Sequence, residues 1–475
     1  MSDTQTMQET QTIQTGIKTS TLQKFSTMQL LNFCLGFFGL QFAWQMRIIL
    51  SGPVTESFGA SPLIFGLIWL AGPITGIVVQ PIIGSLSDKT NTRFGKRRPY
   101  LFVGAIMASL ALWAFPNSAG IAAKLANILH IPMPAFSALL IAAIMIWVID
   151  ACVNAAQGPY RALVPDIVPQ EQHSIANSFL SFAIGLGSVI AAGTAPFLKY
   201  ILNYQMSIES QFVMAALAFS LAMTWTCLTI NESKQTQITE TKQEDNNVPE
   251  PSFAAKLVDF FKSSPEVAKI CGVQLFSWIG VMSMFIFFTQ YSIHTIFQVP
   301  DLTSATEAVK QSYSATIAQA TNFASICFAV QNLICFLVSI PIGILSSRFG
   351  NKNIHAVALI TLAVSMLGMT FAHTKPLVLA FMGLAGIGWA SMLALPFAML
   401  TKFIKQGSEG SVMGIFNIFI AGPQVLVCTL LAWFISKCEY TMPTGINYHW
   451  EYALFIGAIM FILATIMTKT INEKC

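Results

Sequence analysis

The stretch GSLSDKTNTRFGKRRP, residues 84–99, has a shorter counterpart in GILSSRFGNKN, residues 343–353. Both stretches follow long apolar runs, and they share the patterns G-x-L-S and R-F-G at corresponding places. A motif that recurs in this way indicates that the chain consists of two related halves. The fold is therefore predicted to contain two similar structural units, one from each half of the sequence.

Composition identifies the class of protein to which these halves belong. Of the 475 residues, 54% are hydrophobic and only 10% are charged, with a mean hydropathy of +0.64. Soluble domains carry about 25% charged residues. The chain is therefore predicted to be a polytopic membrane protein whose main partner is the lipid bilayer. Its net charge of +4 is small and gives no reason to expect a nucleic-acid partner.

Twelve apolar runs are long enough to cross a bilayer, which takes about 20 residues of helix. The prediction is an all-α, polytopic membrane protein with twelve transmembrane helices in two six-helix bundles. We number these runs as segments 1 to 12. Their predicted ranges are 28–50, 62–86, 99–118, 135–164, 173–202, 211–230, 267–296, 313–346, 353–373, 376–404, 408–436 and 449–470.

Lysines and arginines predict how the segments are oriented. With both termini on one side, that side holds 18 of the 25 basic residues. Cytoplasmic loops carry such an excess, so both termini are predicted to be cytoplasmic. Arg47 and Arg161 lie within predicted segments. The basic residues on the other side are Lys124, Lys199, Lys310, Lys375 and Lys437.

Polar stretches divide the chain into four parts. Residues 1–27 are rich in Thr and Gln and are predicted to be a flexible cytoplasmic tail. Residues 28–230 form the N-terminal six-helix bundle. Residues 231–266 are predicted to be a cytoplasmic linker, which ends in an interfacial helix with its apolar residues on one face. Residues 267–475 form the C-terminal six-helix bundle and a short tail.

Segment 4 carries an unusual polar stripe within WVIDACVNAAQGPYRALVPD, residues 147–166. Asp150, Asn154, Gln157 and Arg161 are spaced by 4, 3 and 4 residues, which places them on one side of a helix. Asp150 and Arg161 are about 16 Å apart along the helix axis, too far for a direct ion pair. Each charge therefore needs a partner on another helix, water or a substrate. Ionisable residues inside a membrane are expensive and usually functional.

Several stretches resemble one known family. GLQFAWQ (39–45), the run from IWLAGP to GKRRPY (68–100), DACVNAAQGPYRALVPD (150–166) and GIFNIFIAGPQ (414–424) are similar to the sucrose/proton symporters, or glycoside-pentoside-hexuronide/cation symporter-like proteins, of the major facilitator superfamily. The loop motif alone indicates only the superfamily. Its combination with the segment 4 pattern is more specific. The resemblance implies alternating access to a site between two bundles.

The resemblance assigns roles to the two charges of segment 4. It implies that Asp150 is the protonated and sugar-binding residue and that Arg161 is essential for transport. The position of Asp150 in the sequence supports the same role. Burial in a membrane helix disfavours the charged form of a carboxylate, which makes Asp150 a candidate proton carrier. The alternative is that Asp150 only braces the bundle by pairing with Arg47. Asn154 and Gln157 are predicted to bind substrate on the same stripe.

Arg47 occupies a position where the family usually has a neutral polar residue. It could neutralise Asp150, bind a substrate carboxylate or phosphate, or extend to the outer membrane surface. Gln41 and Trp44 lie nearby on segment 1 and are predicted to bind substrate together with Arg47. An aromatic plane beside an amide suits a sugar, although Trp44 could equally be a packing residue.

The loop at residues 84–99 is predicted to act as a gate. The resemblance implies a role that this motif has in the superfamily, namely pairing across helix ends and stabilising the outward-open state. The residues concerned are Asp88, Arg93, Arg97 and Arg98. The alternative is that the arginines only set topology. Asp88 is informative because topology does not require it. Its counterpart in the second half is Ser347.

The second half matches the family less completely. Asn417 and Gln424 fall within the matching stretch of segment 11 and are predicted to bind substrate. The family often has a histidine in the first outer loop, where this chain has Pro62. Plant members carry acidic residues in segment 7, where this chain has IFFTQYSIHTIF, residues 286–297. The substrate pocket or the coupling network must differ there.

The predicted function is secondary active transport, with proton-coupled uptake of a sucrose-like sugar or glycoside. The alternative is proton-coupled uptake of a different small metabolite, either neutral or anionic. There is no phosphate-cradling Gly loop or nucleotide motif, so the chain is predicted to be neither an enzyme nor dependent on a cofactor. The nine cysteines show no metal-ligand spacing. A monomer in the cell membrane, the inner membrane if bacterial, is expected.

Overall fold

Membrane-spanning helices make up most of the structure. The computed structural model describes residues 24–134, 136–230, 232, 265–303, 305–403 and 409–472. Within these ranges, eleven helical spans are long and apolar enough to cross a bilayer, and a bent helix pair supplies a twelfth. The predicted all-α polytopic fold is confirmed. Most of the predicted tail and the interfacial helix of the linker lie outside the described residues.

The twelve segments agree closely with the predicted runs. Segments 7 and 11 contain a π-helical stretch near one end, at Ser292–Ile296 and Val427–Leu431. Segment 2 is interrupted after Trp69. The helices are Thr27–Ser57, Pro62–Trp69 with Ala71–Lys89, Arg98–Ala114 with Ser118–Leu129, Ser137–Ile167, His173–Ile201, Ile208–Thr229, Pro265–Tyr291, Glu307–Phe349, Asn351–Phe371, Lys375–Leu400, Glu409–Leu426 with Ala432–Lys437, and Glu451–Lys469.

Segment 1 is longer than predicted. It begins with a capping box, in which Ser26 and Gln29 exchange side-chain to backbone hydrogen bonds, and it ends at Ser57 rather than at residue 50. The helix continues through Pro53, which lacks an N–H. The hydroxyl of Thr55 donates to the carbonyl oxygens of Ser51 and Gly52 and satisfies acceptors near this interruption. The added turns place Glu56 within the helix.

Two short elements near the ends of segments were not predicted. Segment 3 bends by 85° into the helix Ser118–Leu129, which was predicted to be a loop beyond residue 118. A hairpin joins segments 11 and 12: strand β1, Glu439–Met442, pairs antiparallel with strand β2, Gly445–Tyr448. Gly445 has a φ of 144°, which few other residues adopt, so the tight turn depends on it.

Each half packs as one six-helix bundle. In the first half, segment 1 lies against segments 5 and 6, and segment 4 lies against segments 2 and 3. Gly39 allows a close approach of segments 1 and 6, because a Cβ atom at that position would lie 2.6 Å from the carbonyl oxygen of Ala218. In the second half, segment 9 lies against segments 10 and 12, and Gly388 allows a similar approach to Ala358. Small residues at such crossings are typical of membrane helices.

The two bundles meet towards one side of the membrane. We call the side with the loop Lys89–Arg98 the basic face and the other side the distal face. In the ranges given above, the hydrogen bonds that cross between bundles all lie at mid-depth or towards the distal face. They include the bond from Asn322 to Gln205 and the bond from Asn332 to Gln45. The structure is therefore closed at the distal face.

Gly66 marks the tightest of these contacts. It lies on segment 2 near the distal face, opposite the π-helical stretch of segment 11. A Cβ atom at this position would lie 2.3 Å from the Cβ of Ala432 and 2.4 Å from the carbonyl oxygen of Cys428. The backbone oxygen cannot move aside as a flexible side chain could. Closure at the distal face therefore requires glycine here.

We expect Gly66→Val to separate the bundles at the distal face. Overpacking costs about 1–3 kcal/mol, enough to change the ratio of closed to open molecules by about 5- to 150-fold. Distances between spin labels on the two bundles would measure this change. Gly193→Val is the matched control, because no atom lies within 4 Å of a Cβ at Gly193. Equal distances in both variants would show that the contact at Gly66 does not limit closure.

Candidate functional site

A buried ion pair connects segments 1 and 4. Nη2 of Arg47 lies 2.5 Å from Oδ2 of Asp150, and the two side chains are 1% and 0% exposed. Asp150 is the fourteenth residue of the 31-residue helix Ser137–Ile167 and so lies near the middle of its length. Charges at such a position need compensation, because the membrane interior solvates ions poorly. The pair supplies that compensation in this conformation.

The pair leaves part of its hydrogen-bonding capacity unused. Nε and Nη1 of Arg47 and Oδ1 of Asp150 are buried and have no partner among the described residues. Two aromatic rings flank the guanidinium: its carbon lies 4.3 Å from the ring centroid of Trp69 and 5.2 Å from that of Trp44. Nε1 of Trp69 and Nε2 of Gln45 also lack partners in the described part of the chain. Buried donors and acceptors without a partner are rare in folded proteins, so they mark the pair as a candidate functional site.

One interpretation of Arg47 from the sequence is wrong. The side chain does not extend to a membrane surface, because segment 1 continues for ten residues beyond it and the guanidinium turns towards Asp150. The prediction failed because segment 1 was expected to end near residue 50. Of the remaining interpretations, the observed contact is the one in which Arg47 neutralises Asp150.

Asn154 and Gln157, the two amides of the polar stripe, form hydrogen bonds with segment 2. Nδ2 of Asn154 donates to the hydroxyl of Thr75 at 2.9 Å. Nε2 of Gln80 donates to Oδ1 of Asn154 at 2.7 Å and to Oε1 of Gln157 at 3.3 Å. These bonds use both polar groups of Asn154 and join segments 2 and 4. Their direct role in this conformation is helix packing, and substrate binding by Asn154 and Gln157 stays a prediction.

Arg161 lies apart from the ion pair, in a recess that faces the basic side. The recess has a volume of about 280 Å³ and is lined by segments 1, 4 and 5, with Asn177 and Ser181 as its polar amide and hydroxyl groups. Arg161 is exposed, and within the described ranges no carboxylate pairs with it. A larger recess of about 490 Å³ between segments 8 and 10 is lined by apolar side chains. Arg161 therefore offers a cationic group to a solute that enters from the basic face.

Among the described residues, no hydrogen bond or ion pair joins the other predicted substrate residues to Asp150. Gln41 and Trp44 are partly buried on segment 1, and the ring of Trp44 lies near the guanidinium of Arg47. Asn417 is exposed on segment 11. Nε2 of Gln424 donates to the carbonyl oxygen of Ile420 in its own helix. Participation of segment 11 in binding stays a prediction.

Arg97 is the centre of an ionic cluster at the basic face. Its guanidinium lies 2.5 Å from Oδ1 of Asp88 and 3.0 Å from Oδ2 of Asp166, and it donates to the hydroxyl of Ser87. The cluster joins the ends of segments 2, 3 and 4. Arg93 by contrast is exposed and lies over the ring of Phe94.

Glu232 completes this cluster from the end of segment 6. It accepts hydrogen bonds from the backbone N–H groups of Arg97, at 2.7 Å, and Arg98, at 3.4 Å, where segment 3 begins. Burial raises the pKa of the Glu232 carboxyl, and these backbone bonds offset part of the change. Gly95 is required beside it, since its φ is 102° and a Cβ would lie 1.9 Å from Oε2 of Glu232. All described contacts of this cluster are therefore within the first bundle.

The sequence interpretation missed several residues of these networks, among them Gln80, Asp166 and Glu232. Gln80 carried a usable signal, because an amide inside the apolar run of segment 2 needs a partner. Asp166 is the last residue of the quoted stretch of segment 4, but nothing in its spacing points to Arg97. Glu232 lies in the polar stretch after segment 6, which resembles an ordinary linker in composition.

We expect Arg97→Met to destabilise the protein, because it leaves Asp166 and Ser87 without their charged donor. Hydrogen bonds to charged groups contribute about 1.5–3 kcal/mol each, and the exposure of Asp88 lowers its share. Thermal unfolding of purified protein in detergent, followed by tryptophan fluorescence, would measure the loss. Arg93→Met removes an equal charge from the same loop and should leave the midpoint unchanged. Equal midpoints for both variants would contradict a bracing role for Arg97.

Comparisons with known proteins agree with this architecture. The chain is 24% identical over 434 residues to sucrose transport protein SUT5 of Oryza sativa subsp. indica, covering 83% of this chain and 79% of that protein. It is 23% identical over 528 residues to the general alpha-glucoside permease of Schizosaccharomyces pombe, covering 92% of each. Among solved structures, a mutant of the nucleoside transporter NupG superposes with a TM-score of 0.65 at 14% identity, covering 93% of this chain and 99% of that one.

The family assignment follows from a match over most of the chain. A family model described as MFS/sugar transport protein matches residues 36–466, which include all twelve segments at least in part. The relatives and the structural neighbour are transporters, and the chain is likewise no enzyme. The chain belongs to the MFS/sugar transport protein family.

Proposed function

We propose that this protein takes up a sugar or glycoside together with protons by alternating access. The observation that carries the proposal is the buried pair of Arg47 and Asp150, with unused donors and an unused acceptor beside two tryptophan rings. A sugar presents hydroxyl groups that both donate and accept, and an apolar C–H face that stacks on aromatic rings. The chemistry of the pair matches such a ligand.

Protonation of Asp150 would couple the proton to the sugar. In the deprotonated form the carboxylate and Arg47 neutralise each other, as in this conformation. A proton on Asp150 weakens this attraction, so the guanidinium becomes available to donate to sugar hydroxyls. Release of the sugar and the proton restores the pair. The charge on Arg47 therefore favours proton release once the sugar has left.

The printed names of the relatives support this class of substrate. Two relatives that align over most of their length are named for the transport of sucrose and of alpha-glucosides. Trp44 and Trp69 on either side of the pair are consistent with a ring-shaped substrate.

The proposal is tested with purified protein in proteoliposomes and an imposed pH gradient. We expect uptake of at least one of sucrose, maltose or another alpha-glucoside above its equilibrium level, with collapse of the gradient by a protonophore abolishing the accumulation. The panel should include sugar acids and sugar phosphates. Accumulation that persists without a proton gradient would contradict proton coupling.

We expect Asp150→Asn to lose uphill accumulation while retaining sugar exchange across the membrane, since no group remains to load and unload a proton. The substitution also leaves the charge of Arg47 buried without compensation, which is strongly destabilising, at about 3–5 kcal/mol. The double variant Asp150→Asn with Arg47→Gln removes both charges and should recover expression. Accumulation and exchange would be measured with matched amounts of folded protein.

The double variant separates coupling from bracing. If Asp150 only braces the bundle, the neutral double variant should fold and accumulate sugar at the normal level. If Asp150 carries the proton, the double variant should fold but remain uncoupled. Glu307→Gln, which neutralises a carboxylate whose side chain is 88% exposed, is the control for loss of a negative charge.

A second candidate function is proton-coupled uptake of a small anion. It is favoured by Arg161, an exposed guanidinium in a recess with amide and hydroxyl groups and without a described acidic partner. Arg47 is a weaker argument for an anion than the sequence indicated, because Asp150 neutralises it. An anionic substrate would then be held by Arg161 through charge-assisted hydrogen bonds.

We expect Arg161→Gln to distinguish the two candidates. For an anionic substrate, loss of the guanidinium should raise KM by about tenfold or more, because hydrogen bonds to charged groups contribute about 1.5–3 kcal/mol. For a neutral sugar, the change should fall mainly on the rate. Arg161→Lys keeps the charge and should restore the affinity for an anion in part. Equal KM values for wild type and Arg161→Gln would exclude anion recognition by this side chain.

The remaining assignments complete the proposal. The basic face is the cytoplasmic side of a cell membrane, both termini lie there, and the protein acts as a monomer. The bundles at residues 28–230 and 267–475 move as units about the linker at 231–266. The motif at residues 84–99, which includes Asp88, serves as the gate on the cytoplasmic side.

A further inference from the structure

A second polar cluster lies between the bundles near the distal face. Oε2 of Glu56, on segment 1, accepts a hydrogen bond from Nε2 of Gln290 at 2.6 Å and lies 3.0 Å from Nε2 of His294. Both partners are on segment 7. Glu56 is 9% exposed, and Gln290 and His294 are 2% and 1% exposed. We call these three residues the distal cluster.

The distal cluster lies at a contact that alternating access must break. Segments 1 and 7 belong to different bundles, and both approach the distal face at these residues. Gly52 of segment 1 leaves room for the side chain of Gln290 here, because a Cβ atom at Gly52 would lie 2.6 Å from Oε1 of Gln290. Opening of the distal face therefore separates Glu56 from His294 and exposes both to water on that side.

The hydrogen bonds of His294 determine how many protons the closed contact holds. Nδ1 lies 2.9 Å from the carbonyl oxygen of Val299, which can only accept, so Nδ1 carries a hydrogen. A neutral imidazole then has a lone pair at Nε2. That lone pair cannot bond to an ionised carboxylate, since both are acceptors. The contact from Nε2 to Glu56 consequently requires one further proton, either on the imidazole or on the carboxyl group.

The neighbouring groups fix the imidazole in this orientation. Nδ2 of Asn447 donates to the carbonyl oxygens of His294 and Val299, while its Oδ1 accepts from the N–H of Tyr448. The ring of Trp450 stacks on His294 with 5.4 Å between centroids and 17° between planes. The hairpin that joins segments 11 and 12 thus holds His294 in place. A ring flip would lose the contact of Nδ1 with the carbonyl oxygen of Val299 and the contact of Nε2 with Glu56.

We propose that Glu56 and His294 form a second proton-binding site, and that the proton bound there holds the distal face closed. Without this proton, a carboxylate would face a lone pair in a buried site, which is unfavourable. With it, the pair is neutral overall and hydrogen-bonded. The inference rests on alternating access but not on the substrate or on proton carriage by Asp150.

Other charged groups near the distal cluster do not replace this proton. Asp301 is a further acid that interacts electrostatically with both groups, and burial raises the pKa of its carboxyl, with Glu56 acting in the same direction. Glu451 accepts from Thr295 and is paired with His449. Of the lysines, Lys310 contacts the carbonyl oxygen of Ser57 and pairs with Glu307, and Lys375 lies over the ring of Phe297. None of these side chains has a described bond to Glu56 or His294.

The proton of the distal cluster differs from a transported proton. It enters and leaves when the distal face opens, so it returns to the side from which it came. Its effect is on the populations of the two conformations. Acid on the distal side favours the closed form shown here, and alkali favours opening, with a limit of about tenfold per pH unit for one proton.

The test measures the distance between the bundles at the distal face as a function of pH. Spin labels on noncanonical residues at Tyr204 and Ile446, both exposed there, avoid the native cysteines. Protein in nanodiscs would carry Asp150→Asn and Arg47→Gln, so that the proposed coupling site cannot titrate. We expect the open population to rise between about pH 5 and pH 9, by at most about tenfold per unit.

Two variants of the distal cluster give opposite results. In Glu56→Gln, the new amide can accept from Gln290 and donate to Nε2 of His294 without a proton, so the closed form should persist at every pH. In His294→Gln, the carboxylate keeps its charge and loses the proton site, so the closed form should be less populated at acidic pH. Glu439→Gln changes an exposed carboxylate on strand β1 and should preserve the parent response.

The outcomes separate this proposal from the transport function. A parent protein that shows no pH response, or a Glu56→Gln variant that responds like the parent, would overturn the proton site and leave a packing contact. The readout uses no substrate and no gradient, so a failed sugar assay does not affect it. If His294→Gln does not fold, the comparison of Glu56→Gln with Glu439→Gln still decides the question.

Discussion

Burial of Arg47 is the constraint on which much of the first bundle depends. A guanidinium near the middle of a membrane helix is tolerated only with compensation, and here Asp150 provides it from segment 4. The pair fixes how segment 1 is rotated, with its charged face towards segment 4 and small residues such as Gly39 towards segment 6. It also places a carboxylate where a proton can change the electrostatic balance of the site. One interaction thus links packing with the proposed coupling.

The charged clusters that the structure describes occupy three depths, and one of them connects the bundles. The cluster around Arg97 lies at the basic face and the pair of Arg47 and Asp150 lies at mid-depth, each within the first bundle. Among the described residues, the distal cluster alone joins segment 1 to segment 7 through charged groups. The bundles could therefore move relative to each other while the first two clusters stay intact. The distal cluster must break in that motion, which is why its protonation has conformational consequences.

The sequence predicted the positions of the segments well and the side-chain contacts between segments poorly. Hydropathy identified twelve spans, because a bilayer requires long apolar helices, and helical spacing placed Asp150 and Asn154 on one face. Spacing along one helix does not say which neighbour it faces, so the bonds from Gln80 could not be derived. The continuation of segment 1 through Pro53 was not predicted, because a proline usually kinks or ends a helix. For the same reason the sequence did not predict that Glu56 lies within segment 1.

The departures of segment 7 from the family pattern have a physical explanation in this structure. The resemblance to plant members implies acidic residues in that segment, where the sequence of this chain has Gln290 and His294. Both face Glu56, so the acid at this contact comes from segment 1 and its proton-binding partner from segment 7. An acid in both segments would place two carboxylates together in a buried site, where one of them would have to be protonated. With an imidazole as the second group, a single proton is enough to make the contact neutral, and the loss of the segment 7 acids is compatible with a closed distal face.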